Sequence, residues 1–373
     1  MSKLFWAVYD DEQKKKAEEI LATFNKDSKD EMGLMGITMT LSSLMFPGTS
    51  VLHTRLRYIY LVGWIFLEAF KSKKDVTIKL LHQKEKELRQ ILQEQKKKDN
   101  KSFVGILGST KIIDEDGDGE ELSQPPFSVY LNLLKEWNII LDENLLVTEL
   151  CKESFCQDYI KIIEDKDFRN NTFVLTKIEK DYIVKKIPKS ILSTIFNDNI
   201  ELEQEQHFVD FDIELIKDDK QKKLFLYAQN FSLLMWGTML YYNYYLGNES
   251  GDLKDRFDTW IKRVKEVVES DWKPEDTLDL VSNKVNQTQK IFISSWYKYV
   301  KENDLDLENP INIGNMSIEA FLTKREQELK GNRSRLFKKQ KGEILEEAKF
   351  GIRPIEYRWS NIVRFKKDFD ATR

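Results

Sequence analysis

A run of 23 residues without a charged side chain, Leu224 to Leu246, restricts the possible folds more than any other segment. A helix that is apolar around its whole circumference must be buried, either inside a large protein or in a membrane. The run also contains five polar side chains, which suit hydrogen-bond partners inside a protein better than lipid: Gln229, Asn230, Ser232, Thr238 and Asn243. We therefore predict an interior helix, with a membrane-associated effector as the alternative.

The remaining sequence predicts further helices and little else. Thr176 and Glu179 have the spacing of a capping box at the start of one of them. A short aromatic segment, Lys3 to Tyr9, could form a strand. The expected fold is therefore mostly α, a multi-helix globular protein with at most a small β element. The other predicted helices include 75–98, 175–187, 279–302, 317–349 and 355–369.

The clearest interruption of the helical pattern is a charged stretch that contains glycines, and it divides the chain into three successive regions. Residues 1–98 form an N-terminal helical region, residues 99–125 a loop or hairpin, and residues 126–373 a C-terminal helical region. No repeat with a fixed period is present.

Composition excludes several classes of protein. The chain has 59 Lys and Arg against 63 Asp and Glu, a net charge of −4, so global charge does not predict a nucleic-acid binder. Two cysteines exclude a disulfide framework. The N-terminus lacks an apolar core of signal-peptide length, and we expect a cytoplasmic protein without membrane contact.

Motifs for catalysis and metal binding are incomplete. Asp114 to Gly119 resembles the opening of a calcium loop, but Pro125 occupies the position of the bidentate glutamate. Glu214 and Lys217 miss the Glu-x-Lys spacing of metal-dependent nucleases by one residue. Three scattered histidines do not predict a triad or a zinc site. We expect no metal site and no cofactor.

The first segment that indicates a site is the turn Phe46 to Ser50, followed by Arg55 and Arg57. Gly48 permits a sharp turn. The two arginines lie near the start of the next helix, where the helix dipole disfavours cations. They predict either buried ion pairs, for example with Asp30 or Glu31, or an anion-binding site at a helix N-terminus.

The second segment is a basic run, residues 323–341. It contains eight Lys and Arg against two Glu, a net charge of +6 in an acidic protein. Tyr357, Arg358 and Trp359 follow it. Basic side chains interleaved with aromatic ones could follow a phosphate backbone, whereas an acidic protein partner or a solvated helix face would also suit the pattern.

Six segments in order resemble one known family: FPGTSVLHTRLRYIYLVGW, PPFSVYLNLLKEWNI, LTKIEKDYIVKKI, FSLLMWGTMLYYNYYL, REQELKGNRSRL and IEYRW. This resembles an uncharacterised prokaryotic family, domain of unknown function 6361, over about residues 6–368. The resemblance implies a gene of a family whose members are often encoded near phage-defence genes. The family pattern has a histidine before the glycine in the long apolar segment, where this chain has Trp236, and this weakens an enzyme interpretation.

We therefore hypothesise a non-catalytic subunit of a prokaryotic anti-phage defence system. This subunit binds nucleic acid, a partner helicase or nuclease, or both, and we expect the nucleic acid to be DNA rather than RNA. A metal-dependent nuclease or nucleotide-handling enzyme is the alternative. The candidate residues for anion or nucleic-acid binding are Arg55, Arg57, Arg325, Lys330, Arg333, Arg335, Lys338, Lys339 and Arg358.

Overall fold

The computed structural model describes nine segments of the chain. They are residues 30–72, 76–98, 104–111, 120–165, 173–197, 199–203, 205–247, 251–343 and 352–371. The predicted strand at 3–9 and the acidic residues Asp114 to Gly119 lie outside the described residues.

Helices dominate these segments, as predicted. The described residues contain no strand, and only two isolated antiparallel bridges join residues in extended conformation, Ile140 with Phe155 and Ile313 with Met316. The fold is therefore a multi-helix globular one.

The first of two compact units combines residues 46–206 with the C-terminal residues from 358 onward. Its central helix is α2, Tyr58–Lys71, which packs against α3 and α6. Eleven of the fourteen residues of this helix are buried. The apolar run on α2 is ten residues long, so burial inside the unit satisfies it. The other helices of this unit are α3 Ile78–Lys98, α4 Pro126–Val129, α5 Leu131–Glu136, α6 Gln157–Ile163, α7 Lys177–Lys186, α8 Ile191–Ile195 and α15 Trp359–Asp370.

The second unit comprises residues 30–45 and 207–357 of the described chain. Its interior helix is α9, Asp219–Tyr245, which contains the uncharged run and packs against most other helices of the unit. The remaining helices are α1 Met35–Met45, α10 Gly251–Glu269, α11 Pro274–Leu280, α12 Gln287–Glu302, α13 Ile318–Lys330 and α14 Arg335–Gln340.

Helix α9 has protein neighbours for its polar and aromatic groups. The indole nitrogens of Trp260 and Trp296 each donate to a backbone carbonyl of α9 at 2.9 Å. A Cβ at Gly237 would lie 2.0 Å from the Trp260 ring, so only glycine fits there. Ser232 donates to the carbonyl of Ile355 at 2.9 Å. The predicted interior helix is thus confirmed.

Local capping decides where several helices begin and end. Thr176 and Glu179 form the predicted capping box at the start of α7. The predicted helix at 279–302 is wrong in its first part, because Asn286 caps a helix that begins only at Gln287. The predicted helix from Ser317 also ends early. Gly331, with φ of 56°, terminates α13.

Candidate functional site

The turn before α2 is built around Gly48 in the first unit. Gly48 has φ of 77°, and a Cβ there would meet Leu133 and Glu136 at 3.0 Å. Thr49 closes the turn by donating its hydroxyl proton to the carbonyl of Phe46 at 2.7 Å. The glycine is therefore required both by conformation and by the close approach of the neighbouring helix.

Arg55 follows this turn and is fully engaged by its own chain. Its Nε and Nη2 both lie 2.9 Å from Oδ1 of Asp368. Its Nη1 donates to the carbonyl of Val104 at 2.7 Å. The guanidinium carbon lies 4.5 Å from the centre of the Phe173 ring. Asp368 also accepts from the backbone nitrogen of Leu56 at 2.8 Å, so the pair fixes the start of α2.

Arg57 is the more deeply buried of the two arginines, with none of its surface exposed. Its Nη2 and Nε donate to Oε1 of Glu179 at 3.0 and 3.2 Å. Tyr60 donates to the backbone carbonyl of the same glutamate at 2.6 Å. Of the two alternatives left by the sequence, the structure contains the ion pairs. Their partners are Glu179 and Asp368, not the residues suggested from sequence proximity.

Arg358, in the same unit, anchors the turn from the C-terminal segment. It adopts a left-handed conformation with φ of 69°. Its Nη1 donates to the carbonyl of Thr49 at 2.6 Å, and burial lowers the pKa of the guanidinium. Asn361 donates to the next carbonyl, that of Ser50, at 2.9 Å. Arg358 and Asn361 therefore hold the turn in place.

His53 lies at the centre of this arrangement and was not among the predicted site residues. Its Nε2 lies 3.0 Å from the carbonyl of Val129, and its Nδ1 accepts from the backbone nitrogen of Ser50 at 3.2 Å. A carbonyl can only accept, so the proton is on Nε2. The ring stacks on Tyr130 at 4.2 Å. The adjacent turn motif was the signal that could have identified it.

We expect His53 to make the stability of the protein pH-dependent. Burial lowers the pKa of His53 to about 4, from an ordinary value near 6.5. Between these values the unfolded chain binds a proton that the native chain does not. Stability therefore falls as the pH falls through that window, by about 3 kcal/mol in all. Urea unfolding at pH 7, 5.5 and 4.5 measures this loss.

The variant His53→Gln is the control for that titration. Glutamine can still donate to the carbonyl of Val129, but it carries no proton that titrates in this range. We expect the variant to lose less stability than the wild type between pH 7 and 4.5. An equal loss in both proteins would contradict the assignment.

In the second unit, two of the predicted basic residues point inward. Arg325 is 3% exposed, and its Nε donates to the carbonyl of Met32 at 3.0 Å. Its Nη1 lies 3.5 Å from Oε2 of Glu328. Lys330 forms an ion pair with Glu31. Both cations therefore attach α13 to the segment before α1. Buried positions 318, 321, 322, 325 and 326 recur with helical spacing, a signal that places Arg325 on the core side.

Glu326 is the residue that organises the basic run, and sequence reasoning assigned it no role. It is completely buried. Its Oε1 accepts from the Tyr242 hydroxyl at 2.9 Å and from the backbone nitrogen of Arg335 at 3.0 Å. Its Oε2 accepts from the Ser334 hydroxyl at 2.7 Å and from the backbone nitrogen of Leu336 at 3.0 Å. One carboxylate thus holds the start of α14.

The other basic residues of the run form a surface on α13, α14 and the 3₁₀ turn Gly331–Arg333 between them. Lys324, Arg333, Lys339 and Lys341 are exposed, whereas Arg335 and Lys338 are half-buried. Phe337 is half-buried among them, and the Lys341 ammonium lies 4.1 Å from the centre of its ring. We call this set the basic surface: Lys324, Arg333, Arg335, Phe337, Lys338, Lys339 and Lys341.

The carboxylates considered for nuclease chemistry have separate roles. Asp210 pairs with Arg263 at 2.8 Å, and Glu214 pairs with Lys222 at 2.6 Å. Asp212 caps a 3₁₀ turn. Over the segments that the structure describes, no three His, Cys, Asp or Glu side chains are grouped so that they could hold a metal ion.

The fold is that of a multi-helix protein. Several cations of its two basic motifs, the turn before α2 and the run at 323–341, form ion pairs that hold segments of the same chain together. Residues 1–110 match the model of a family described as a family of unknown function, DUF6361, which is the family that the sequence motifs resemble. No curated protein and no solved structure matches the chain. Among the described helices, none has the length and hydropathy needed to cross a membrane.

Proposed function

We propose that the chain is a non-catalytic subunit of a prokaryotic anti-phage defence system and that its basic surface contacts nucleic acid. The exposed cations of α13 and α14 carry this proposal. Arg55, Arg57, Arg325 and Lys330 each have a carboxylate partner, so they add little to an interface. The defence context is supported by the family resemblance alone.

The arrangement of cations on the basic surface is suited to contact with the phosphate backbone of nucleic acid. Its cations occupy a turn and two helices that Glu326 joins, so the backbone that carries them needs little ordering when a ligand binds. Phosphate neutralisation by Lys and Arg supplies most of the affinity of non-specific binding to nucleic acid. Phe337 adds an aromatic ring on which an unpaired base could stack. We therefore expect DNA with single-stranded character to be the preferred ligand.

The test is the affinity for labelled single- and double-stranded DNA and RNA over a salt series. We expect log affinity to fall linearly with log salt. The triple variant Arg333→Ala, Lys338→Ala, Lys341→Ala should bind more weakly. The magnitude of the slope should fall by about two on single-stranded DNA and by about three on duplex DNA, because each phosphate contact contributes about 0.7 or 0.9. Circular dichroism confirms that the variant is folded.

A matched triple variant, Lys262→Ala, Lys265→Ala, Lys298→Ala, removes the same charge from exposed positions of α10 and α12. It should keep the affinity and the slope of the wild type. An equal effect of the two triple variants would assign the binding to net charge alone. Absence of binding at low salt would overturn the nucleic-acid proposal, and an acidic protein partner would then be sought by pull-down.

A further inference from the structure

A cleft of about 520 Å³ opens on the second unit, away from the basic surface in sequence. Helices α9 and α10 form its sides, and the segment that joins α10 to α11 forms its end. The residues that matter for recognition are Tyr227, Asn230, Arg263, Glu266, Asp271 and Trp272.

The cation in the cleft, Arg263, is already neutralised. Its Nη1 lies 2.8 Å from Oδ1 of Asp210, and its Nη2 donates to the carbonyl of Val209 at 2.8 Å. The guanidinium therefore has little capacity left for an external anion. A phosphate or carboxylate ligand does not suit this cleft.

The remaining charges in the cleft are negative. Glu266 and Asp271 are exposed and make no ion pair within the described chain. Asp276 is half-buried and accepts from the backbone nitrogen of Lys273 at 2.9 Å. Two carboxylates thus remain available to a ligand at the rim, and they favour a cation.

Asn230 supplies an independent indication of a ligand. It lines the cleft from α9 and is 7% exposed, yet its side-chain amide has no hydrogen-bond partner in the described part of the chain. Its neighbour Gln229 is different, because it donates to the carbonyls of Phe208 and Phe211 at 3.0 Å. The amide atoms of Asn230 are not among the fully shielded polar atoms, so the side chain opens into the cleft, and its oxygen is available to accept from a bound group.

The apolar lining fits the stem of such a group. Leu226, Leu233 and Val267 contribute aliphatic surface, and Tyr227 and Trp272 contribute aromatic rings. The ammonium of Lys223 lies 5.2 Å from the centre of the Tyr227 ring, so this ring already contacts a cation. The cleft combines apolar walls, an amide acceptor and rim carboxylates.

We propose that this cleft binds a primary ammonium or guanidinium group carried on an alkyl chain. The charged head donates to Asn230 and to the carboxylates of Glu266 and Asp271, and the alkyl chain packs on the apolar walls. Two sources share this chemistry: a free polyamine, and a lysine or arginine side chain of a partner protein. The inference is independent of the basic surface, for which we propose a ligand of the opposite charge.

Isothermal titration calorimetry of the full chain tests the proposal with n-butylamine, putrescine and spermidine. The same titration with N-acetyl-lysine amide and N-acetyl-arginine amide represents a partner side chain, and n-butanol is the uncharged control. We expect saturable binding of the amines and none of n-butanol. Tighter binding of the capped amino acids than of the polyamines would assign the cleft to a partner side chain, and the reverse order to a free polyamine.

Two variants locate the binding in the cleft. The double variant Glu266→Gln, Asp271→Asn should lower the affinity for the amine at least tenfold. The control Glu269→Gln removes an exposed carboxylate on the same helix that does not line the cleft, and should leave binding unchanged. The proposal is overturned if no amine saturates, if n-butanol binds equally, or if the double variant binds as tightly as the control.

Discussion

Replacing Arg57 with methionine is expected to lower the free energy of unfolding by about 3–5 kcal/mol. Arg57 and Glu179 are 0% and 1% exposed, and methionine leaves the carboxylate buried without its cation. An uncompensated buried charge is among the most costly defects in a folded protein. Since whole domains are stable by only about 5–15 kcal/mol, this variant should unfold at a much lower urea concentration. Urea unfolding followed by circular dichroism measures the loss.

Two companion variants separate the buried charge from general damage. Arg57→Met with Glu179→Gln removes both charges and should recover about half of the loss, because a neutral amide costs less to bury. Arg256→Met breaks an exposed pair with Asp252 at 3.0 Å and should cost no more than about 1 kcal/mol. If Arg57→Met were no more harmful than Arg256→Met, the buried pair would not be a determinant of stability.

The second large effect is expected for Glu326→Gln, at about 3 kcal/mol. Each carboxylate oxygen accepts one hydroxyl and one backbone N–H, so all four partners are donors. Glutamine has the same shape, but its NH₂ group would face two of these donors and accept from neither. Burial, and then the charge of Glu326, raise the pKa of Tyr242, which keeps the phenol protonated as a donor. Urea unfolding measures the loss.

The same variant connects stability with the proposed function. Glu326→Gln removes no cation from the basic surface, yet it loosens the start of α14, where Arg335 lies. We therefore expect its affinity for DNA to fall at fixed salt, although its salt slope stays near that of the wild type. The control is Glu328→Gln on the same helix, whose carboxylate is 36% exposed and 3.5 Å from Arg325. Equal losses of stability in the two variants would contradict the role assigned to Glu326.

Local patterns in the sequence predicted those features that depend on neighbouring residues. The uncharged run at 224–246 predicted the interior helix α9, because a long uncharged stretch with apolar side chains on every face of a helix must be buried. Thr176 and Glu179 predicted the start of α7, because a capping box is satisfied within four residues. The helix content and the family resemblance over residues 1–110 also followed from patterns within short stretches of neighbouring residues.

Partners that are distant in sequence could not be predicted in this way. Arg55 meets Asp368 across 313 positions, and Arg325 meets Met32 across 293. A charged residue has the same appearance in a sequence whether its partner is water, phosphate or a buried carboxylate. For this reason the nine candidate cations could be named together, but only their burial separated the internal tethers from the basic surface.

The hydrophobic pattern of this chain was therefore sufficient to establish an α-helical protein with an interior helix at its uncharged run. The interleaving of early, middle and late segments within each compact unit was decided by tertiary packing. So were the roles of Glu326, His53 and Asn230, because the desolvation and hydrogen bonding of a polar group depend on what surrounds it in space. Those surroundings come from segments far apart in the chain, which no local pattern encodes.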